Sequence, residues 1–349
     1  MMPVLGKSRV FVEGGKHNTD EDANKNDENV STVFSLLLTV MKICGILFIH
    51  ADGNCKTRRE ILIVHVVYCL SIQTIAFLNA LRYILVFVSE GTRWQCHIAV
   101  LSFAWFYFVI VYFGIMCLFC CKHMTKFFTS FGQYHIDHGI HFDIKKYKRN
   151  IRIMAIVLFV EITIASIGLP GEIIFGEIPA ESLYGMILWP MHTASGSLLI
   201  IAGVSYAVVS LFALTSCLSM VMFYLFVLAC IKKELQYISS SLADLRHKEV
   251  RNITTGLEDI RQQHQSIVNL LSSVNPILQH VVGGFYVMGI PIICCMLHGL
   301  SSGTISLDDL NRMIFTILGN IVGMFVLTFK GADINSEVCI LTLVKRKLP

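Results

Sequence analysis

The chain is 349 residues long, 54% of them hydrophobic and only 15% charged, whereas a soluble domain of this size carries about a quarter charged residues. This deficit of charge argues against an ordinary soluble protein and points to lipid as the solvent. The net charge of +4 is less informative than its distribution, because in membrane proteins the loops that hold Lys and Arg determine orientation.

The N-terminal segment contains two regions of opposite character. Residues 1–29 are polar and end in an acidic, Asn-rich stretch, so we predict a disordered cytoplasmic tail without a signal peptide. Residues 30–50 are mostly apolar, but Lys42 lies near their middle. This segment is either a span or a helix at the membrane, and we favour a membrane-surface or re-entrant helix.

Six later stretches have the roughly 20 apolar residues that a helix needs to cross a hydrocarbon core of about 30 Å. They are Ile61–Val88, Ile98–Cys121, Ile151–Phe175, Ser197–Cys230, Ile277–Leu300 and Met313–Phe329. We therefore predict an all-α, polytopic transmembrane helix bundle over residues 61–330, followed by a cytoplasmic C-terminal segment at 331–349.

The orientation of the bundle follows from its basic residues, because Lys and Arg near span ends are retained in the cytoplasm. One set of alternate connecting segments holds 20 of these residues and the other set holds 2. The basic set is 51–60, 122–152, 231–275 and 330–349, and the other is 89–97, 176–196 and 301–312. The N-terminus and the large basic loops are thus predicted to be cytoplasmic.

The connection at 231–275 is too polar for the membrane, yet it keeps apolar residues at helical spacing. We predict that the fourth span continues into the cytosol, turns near His247–Asn252 and returns as a helix that meets Pro276. The apolar faces of this cytoplasmic excursion need a partner. The partner is either the other helix of the pair or a second subunit, and the sequence leaves both open.

Motifs for chemistry are absent from the sequence: there is no Walker A loop, HExxH or GxSxG. We therefore do not expect an enzyme, and we predict no cofactor, no metal site and no nucleic-acid partner. Most of the 12 cysteines lie in apolar runs and are read as small core residues. Cys120 and Cys121, at the cytoplasmic end of the second span, are either core residues or sites of palmitoylation.

Three charged residues lie inside predicted spans, where charge is costly and usually marks function or a buried pair. Arg82 either extends to the outer interface or belongs to a site. Glu172 follows a break at Pro170-Gly171 and lies either in interfacial water or in a cavity opened by that break. Glu161 lies midway along the third span, so we expect it to be neutral or paired, with contact to a ligand or ion, or helix register, as candidate roles.

Aromatic and polar side chains also gather in the outward halves of the spans, namely Tyr83, Trp105, Phe106, Ser166, Tyr206 and His298, with Trp189 and His192 in an outer loop. An interfacial aromatic belt explains each of them singly. As a group, with the three charged residues, they predict an extracellular-facing pocket for a small, mostly apolar ligand. Gly319 and Gly323 form a GxxxG pattern in the sixth span, which indicates close helix packing.

The layout as a whole resembles the invertebrate gustatory receptor family of seven-span chemoreceptors. The shared features are a cytoplasmic N-terminus, a long fourth span, a helical cytoplasmic excursion before the fifth, and the polar stretch Ala-Asp-Ile-Asn-Ser-Glu-Val at 332–338. The segment at 30–50 is similar to the family's membrane-surface helix. The resemblance implies a plasma-membrane receptor for a tastant or other small chemical, which assembles as a homo- or hetero-oligomer, a tetrameric ligand-gated cation channel.

The sequence departs from that family at its end. The family's seventh span carries a Thr-Tyr, then apolar residues and a Gln-Phe, and this pattern does not occur before Pro349. We expect truncation of the pore-lining span rather than a non-conducting isoform or a divergent member. The alternatives are a G-protein-coupled receptor, which the basic residues and the missing extracellular cysteine pair disfavour, and a transporter, for which we find no convincing repeat.

Overall fold

The computed structural model describes residues 30–45, 57–89, 94–176, 188, 190, 191, 196–245, 250–301 and 307–347. The predicted tail at 1–29, Trp189, His192 and residues 247–249 of the predicted turn at 247–252 lie outside these residues, whereas 250–252 belong to the first turn of a helix. The described residues form seven helices: α1 Val30–Ile43, α2 Thr57–Ser89, α3 Trp94–His138, α4 Ile144–Ile174, α5 Ser197–Leu245, α6 Val250–Ser301 and α7 Leu307–Lys347. The predicted all-α fold is confirmed.

Helices α2 to α7 are each long and apolar enough to cross a membrane, which confirms the six predicted spans. Their outer faces are apolar as well: Ile164 on α4 is 67% exposed and Phe315 on α7 is 76% exposed. Exposure of large aliphatic and aromatic side chains on this scale is stable only where lipid replaces water. The chain is therefore a multi-pass membrane protein.

Helix α1 is only 14 residues long, too short to span the hydrocarbon core. Its apolar face is nevertheless buried against α3, α4 and α5, and Phe34 and Met41 are fully buried. The chain turns after α1 at Gly45, where φ is +71° and a Cβ atom would lie 2.9 Å from Ile72 Cδ1. Ile72 lies inside the candidate α2 span, so the turn after α1 packs against an apolar part of α2. A membrane-surface or re-entrant helix at 30–50 stays a prediction.

Four helices, α3, α5, α6 and α7, extend far beyond their predicted apolar spans at the predicted cytoplasmic end. Helix α3 continues to His138, through more than half of the basic connecting segment at 122–152. The reason is an apolar face at helical spacing, since Met124, Phe127, Phe131 and Tyr134 are all buried. The extended parts of α5 and α6 contact each other where Gly256 meets Leu245, and both bond to α3, so their apolar faces find partners within this chain.

Helix α4 begins earlier than the predicted span at residue 151, because a side chain caps it. Asp143 precedes the helix with extended backbone, and its carboxylate accepts a hydrogen bond of 3.0 Å from the Lys146 backbone N–H. The first turns of α4 are consequently helical and basic. They carry Lys145, Lys146, Lys148, Arg149 and Arg152.

Candidate ligand-binding cavity

A cavity of about 280 Å³ lies between α3, α5, α6 and α7, in the half of the bundle predicted to face the outside. We call it the outer cavity. Its walls are mostly apolar, with a few hydroxyl groups and one amide. It is lined by Ser102, Phe103, Phe106, Tyr107, Tyr206, Ser210, Leu214, Met288, Ile292, Met296, Thr316 and Asn320.

The spacing of the lining residues explains how four separate helices form one cavity. On α5, α6 and α7 they recur every four residues, and on α3 they form two adjacent pairs four residues apart. Residues four apart lie on one face of a helix, so each helix contributes a single face. Ser102 and Ser210 have small side chains, and they leave open a space that larger side chains at these two positions would fill.

Polar groups in the outer cavity are few and fixed. The hydroxyls of Tyr107 and Ser210 lie 3.2 Å apart and hydrogen bond to each other across α3 and α5. On α7, the Asn320 side-chain amide donates to the Thr316 carbonyl at 2.8 Å, which holds that side chain against its own helix. A mostly apolar cavity with a few oriented polar groups is typical of sites for small organic molecules, and the Met thioethers adapt to ligand shape.

Two of the residues predicted from sequence, Phe106 and Tyr206, line the outer cavity. Arg82 and Tyr83 lie one layer behind the wall. The buried Tyr83 ring stacks on Tyr107 with centroids 5.9 Å apart, and the Arg82 guanidinium donates to the Tyr83 hydroxyl at 2.7 Å. These two residues are therefore placed to position the wall rather than to touch a bound molecule.

The other candidates lie elsewhere. Trp105 donates from its indole N–H to the Val287 carbonyl at 2.6 Å, which ties α3 to α6 outside the cavity. His298 is exposed on α6, and Ser166 is buried on α4. Glu161 is exposed on α4 among lipid-facing residues, so the expected partner for this mid-membrane acid is not found among the described residues.

The glycines and cysteines singled out from the sequence also lie away from the outer cavity. A Cβ at Gly319 would meet no described atom within 4 Å, and one at Gly323 would make ordinary contact with Phe285 at 3.8 Å. Close approach of α6 to α7 occurs instead at Gly289, where the Met324 sulfur would lie 3.0 Å from a Cβ. The Cys120 side chain is only 5% exposed, and that of Cys121 lies outside the described residues.

Sequence reasoning missed several lining residues, notably Ser210, Met288, Thr316 and Asn320. The available signal was polar side chains at four-residue spacing within apolar spans, as at Thr316 and Asn320 on α7. That signal is weak, because Ser and Thr in membrane helices commonly bond to their own backbone, and the Thr316 hydroxyl donates to the Arg312 carbonyl at 2.9 Å.

Glu172 forms an ion pair with Arg312 that joins the outer ends of α4 and α7. Both side chains are about one third exposed, so water screens the attraction. We expect Arg312→Glu to lower the free energy of unfolding by about 1 kcal/mol, and addition of Glu172→Arg to restore most of the loss. Thermal unfolding of the purified chain in detergent measures both effects. A double variant no more stable than Arg312→Glu alone would contradict the pairing.

Comparison with known proteins identifies solved structures that have a similar fold. No family model matches the sequence, and no curated protein matches it. Among solved structures, the insect olfactory receptor OR5 from Machilis hrabei matches with a TM-score of 0.59 and 13% identity, over 88% of this chain and 81% of that chain. The same receptor in complex with eugenol gives a TM-score of 0.56 and 11% identity, over 85% and 77%.

This chain therefore has the fold of an insect olfactory receptor. Insect olfactory and gustatory receptors belong to one family of seven-span chemoreceptors, so the predicted resemblance is confirmed at the level of the fold.

Proposed function

We propose that this chain is a chemoreceptor of the insect seven-span family that binds a small, mostly apolar molecule in the outer cavity. The observation that carries the proposal is the outer cavity itself, found within a bundle that has the fold of an insect olfactory receptor. The related receptor has been captured with eugenol, a small molecule. Such a molecule suits walls made of Phe, Met and Ile with a few hydroxyls.

The helices that line the outer cavity also run to the other end of the bundle, which provides a path for signalling. Tyr224 on α5 donates to the Leu327 carbonyl on α7 at 2.8 Å, and Lys232 on α5 pairs with Asp333 on α7 at 2.5 Å. A molecule that contacts Tyr206 and Thr316 touches these same two helices. It therefore biases the position of α7 relative to α5 if it binds one arrangement more tightly.

The proposal extends to a plasma-membrane receptor that works as a subunit of an oligomeric, ligand-gated cation channel. This part is supported by the resemblance in layout to gustatory receptors, a family whose members are thought to assemble as tetramers. A tastant as the natural ligand is supported by that resemblance alone. The predicted orientation, with the basic loops in the cytoplasm, places the outer cavity on the side from which external chemicals arrive.

Filling the outer cavity should abolish small-molecule binding. Thr316 is half-buried on the α7 wall, and Thr316→Phe places an aromatic ring in the cavity. We expect eugenol, or other members of a panel of small aromatic and terpenoid molecules, to bind at least about tenfold more weakly, because the ring occupies the volume that the ligand needs. Quenching of intrinsic fluorescence, with the chain in lipid nanodiscs, measures the affinity.

Thr74→Phe is the matched control. The Thr74 hydroxyl bonds to the Leu70 carbonyl at 2.8 Å, as that of Thr316 bonds to Arg312, but Thr74 is exposed on the lipid face of α2. Its substitution should leave binding unchanged. Failure of the whole panel to bind the unsubstituted chain, or equal losses in the two variants, would refute the proposed site.

A further inference from the structure

A second cavity, larger than the outer one at about 460 Å³, lies between α4, α5 and α7 at the predicted cytoplasmic end of the bundle. We call it the inner cavity. Its lining combines lysines with a continuous apolar wall. The residues are Tyr147, Met154, Leu225, Phe226, Leu228, Ala229, Lys232, Lys233, Gln236, Val326, Lys330, Asp333 and Ile334.

The lining residues carry a surplus of positive charge. Lys232, Lys233 and Lys330 contribute three ammonium groups, against one carboxylate from Asp333. Lys232 is held by Asp333 at 2.5 Å, whereas Lys233 contacts a neutral group, the Gln236 side-chain oxygen at 3.1 Å, and pairs with no carboxylate among the described residues. Lys233 and Lys330 are both exposed. Two lysines are thus placed to attract an anion without first breaking a salt bridge.

The inner cavity lies where the hydrocarbon layer gives way to headgroups. The apolar run of α5 ends at Ile231, directly before Lys232, and on α7 the exposed Phe329 precedes Lys330. The apolar wall includes Met154 on α4 and Val326 on α7, one turn before Lys330, which are 39% and 36% exposed and face the lipid side. The basic first turns of α4 adjoin the cavity through Tyr147, whose hydroxyl lies 3.4 Å from the Ala229 carbonyl.

We propose that the inner cavity binds an anionic phospholipid of the cytoplasmic leaflet, with its phosphate groups on Lys233 and Lys330 and an acyl chain along Met154 and Val326. Basic pockets between transmembrane helices on the cytoplasmic side suit such headgroups. A soluble phosphate would explain the lysines but not the apolar wall that continues from them into the bilayer. The lipid bridges α5 and α7, and it therefore stabilises the arrangement of two helices that also line the outer cavity.

The test uses the purified full chain in detergent micelles with dioctanoyl phosphatidylinositol 4,5-bisphosphate as the probe, and native mass spectrometry to count bound lipid. A lysine near an anionic surface contributes about 1 kcal/mol, so Lys233→Gln with Lys330→Gln should weaken binding about 30-fold. The matched control is Lys122→Gln with Lys126→Gln, which removes the same charge from exposed positions of α3 at the same end of the bundle. Its affinity should stay within about twofold of the unsubstituted chain.

Two further probes separate the sources of binding. Dioctanoyl phosphatidylcholine has the chains without net charge, and inositol 1,4,5-trisphosphate has the phosphates without chains. Both should bind at least about tenfold more weakly than the anionic lipid. An equal loss of lipid affinity in the two double-lysine variants would show that general surface charge causes the binding, and would overturn the proposal. The proposal would also fail if either further probe bound as tightly as the anionic lipid, or if the anionic lipid did not bind at all.

Discussion

Replacing Glu234 with leucine is expected to destabilise the chain by about 3 kcal/mol, because it removes the acceptor of a buried hydrogen-bond cluster. Glu234 lies on α5 and is only 1% exposed. Its carboxylate accepts hydrogen bonds from the Tyr134 hydroxyl at 2.8 Å and the His141 backbone N–H at 2.9 Å, and it lies 3.0 Å from His141 Nδ1. The substitution leaves the buried Tyr134 hydroxyl and the half-buried groups of His141 without this acceptor.

The environment of Glu234 also fixes the protonation of its neighbour. Burial, followed by the negative charge of Glu234, raises the pKa of Tyr134, so this tyrosine stays a neutral donor. His141 is held in addition by the Tyr237 ring, whose centroid lies 3.4 Å from that of the imidazole. The carboxylate thus joins the end of α3, the segment before α4 and the extended part of α5 in one polar cluster.

Thermal unfolding in detergent measures the effect, and Glu258→Leu is the control. Glu258 is on the same cytoplasmic excursion and pairs with Arg261 at 3.0 Å, but its side chain is 48% exposed. Its loss should cost no more than about 0.5 kcal/mol. Glu234→Gln, which keeps one acceptor oxygen, should fall between the two. If Glu234→Leu and Glu258→Leu unfold at the same temperature, the cluster does not stabilise the fold.

Gly284→Leu is expected to cost about 3 kcal/mol, at the upper end of the usual range for overpacking a core. Gly284 lies on α6 where that helix meets α3, and a Cβ there would lie 2.7 Å from Phe113 Cε1 and 3.0 Å from Tyr112 Cε1. Phe113 is fully buried, so its ring has no free space to move into. Any side chain at this position must therefore push α6 away from α3, along one of the main helix contacts of the bundle.

The neighbouring Gly283 provides the control for Gly284. A Cβ at Gly283 would meet no described atom within 4 Å, and the residue is exposed on the lipid face of α6. Gly283→Leu should be neutral or stabilise the helix by up to about 1 kcal/mol, because leucine is the better helix former. The measurement is thermal unfolding in detergent for both variants. A smaller loss at Gly284 than at Gly283 would mean that α3 and α6 do not pack as described.

The amino-acid sequence is sufficient to predict that the protein lies in a lipid bilayer and how many helices are able to cross it. Apolar runs of sufficient length define α2 to α7, because the bilayer requires an unbroken apolar surface over a fixed distance. The sequence also predicts that α5 and α6 continue as helices beyond the membrane, because apolar residues recur there at helical spacing among polar ones. The same pattern is present between 122 and 138, where α3 continues as a helix into the basic connecting segment.

Which face of each membrane helix points into the bundle follows from the packing of the helices and not from the sequence pattern. A membrane helix is apolar on its lipid face and on its packed face, so hydrophobicity does not reveal its rotation. Glu161 and Glu172 illustrate this, because both are acidic residues within the same predicted span. In the structure Glu161 lies on the lipid-facing side of α4, whereas Glu172 pairs with Arg312 on α7. The outer cavity has the same origin, because its lining comes from four helices that only packing brings together.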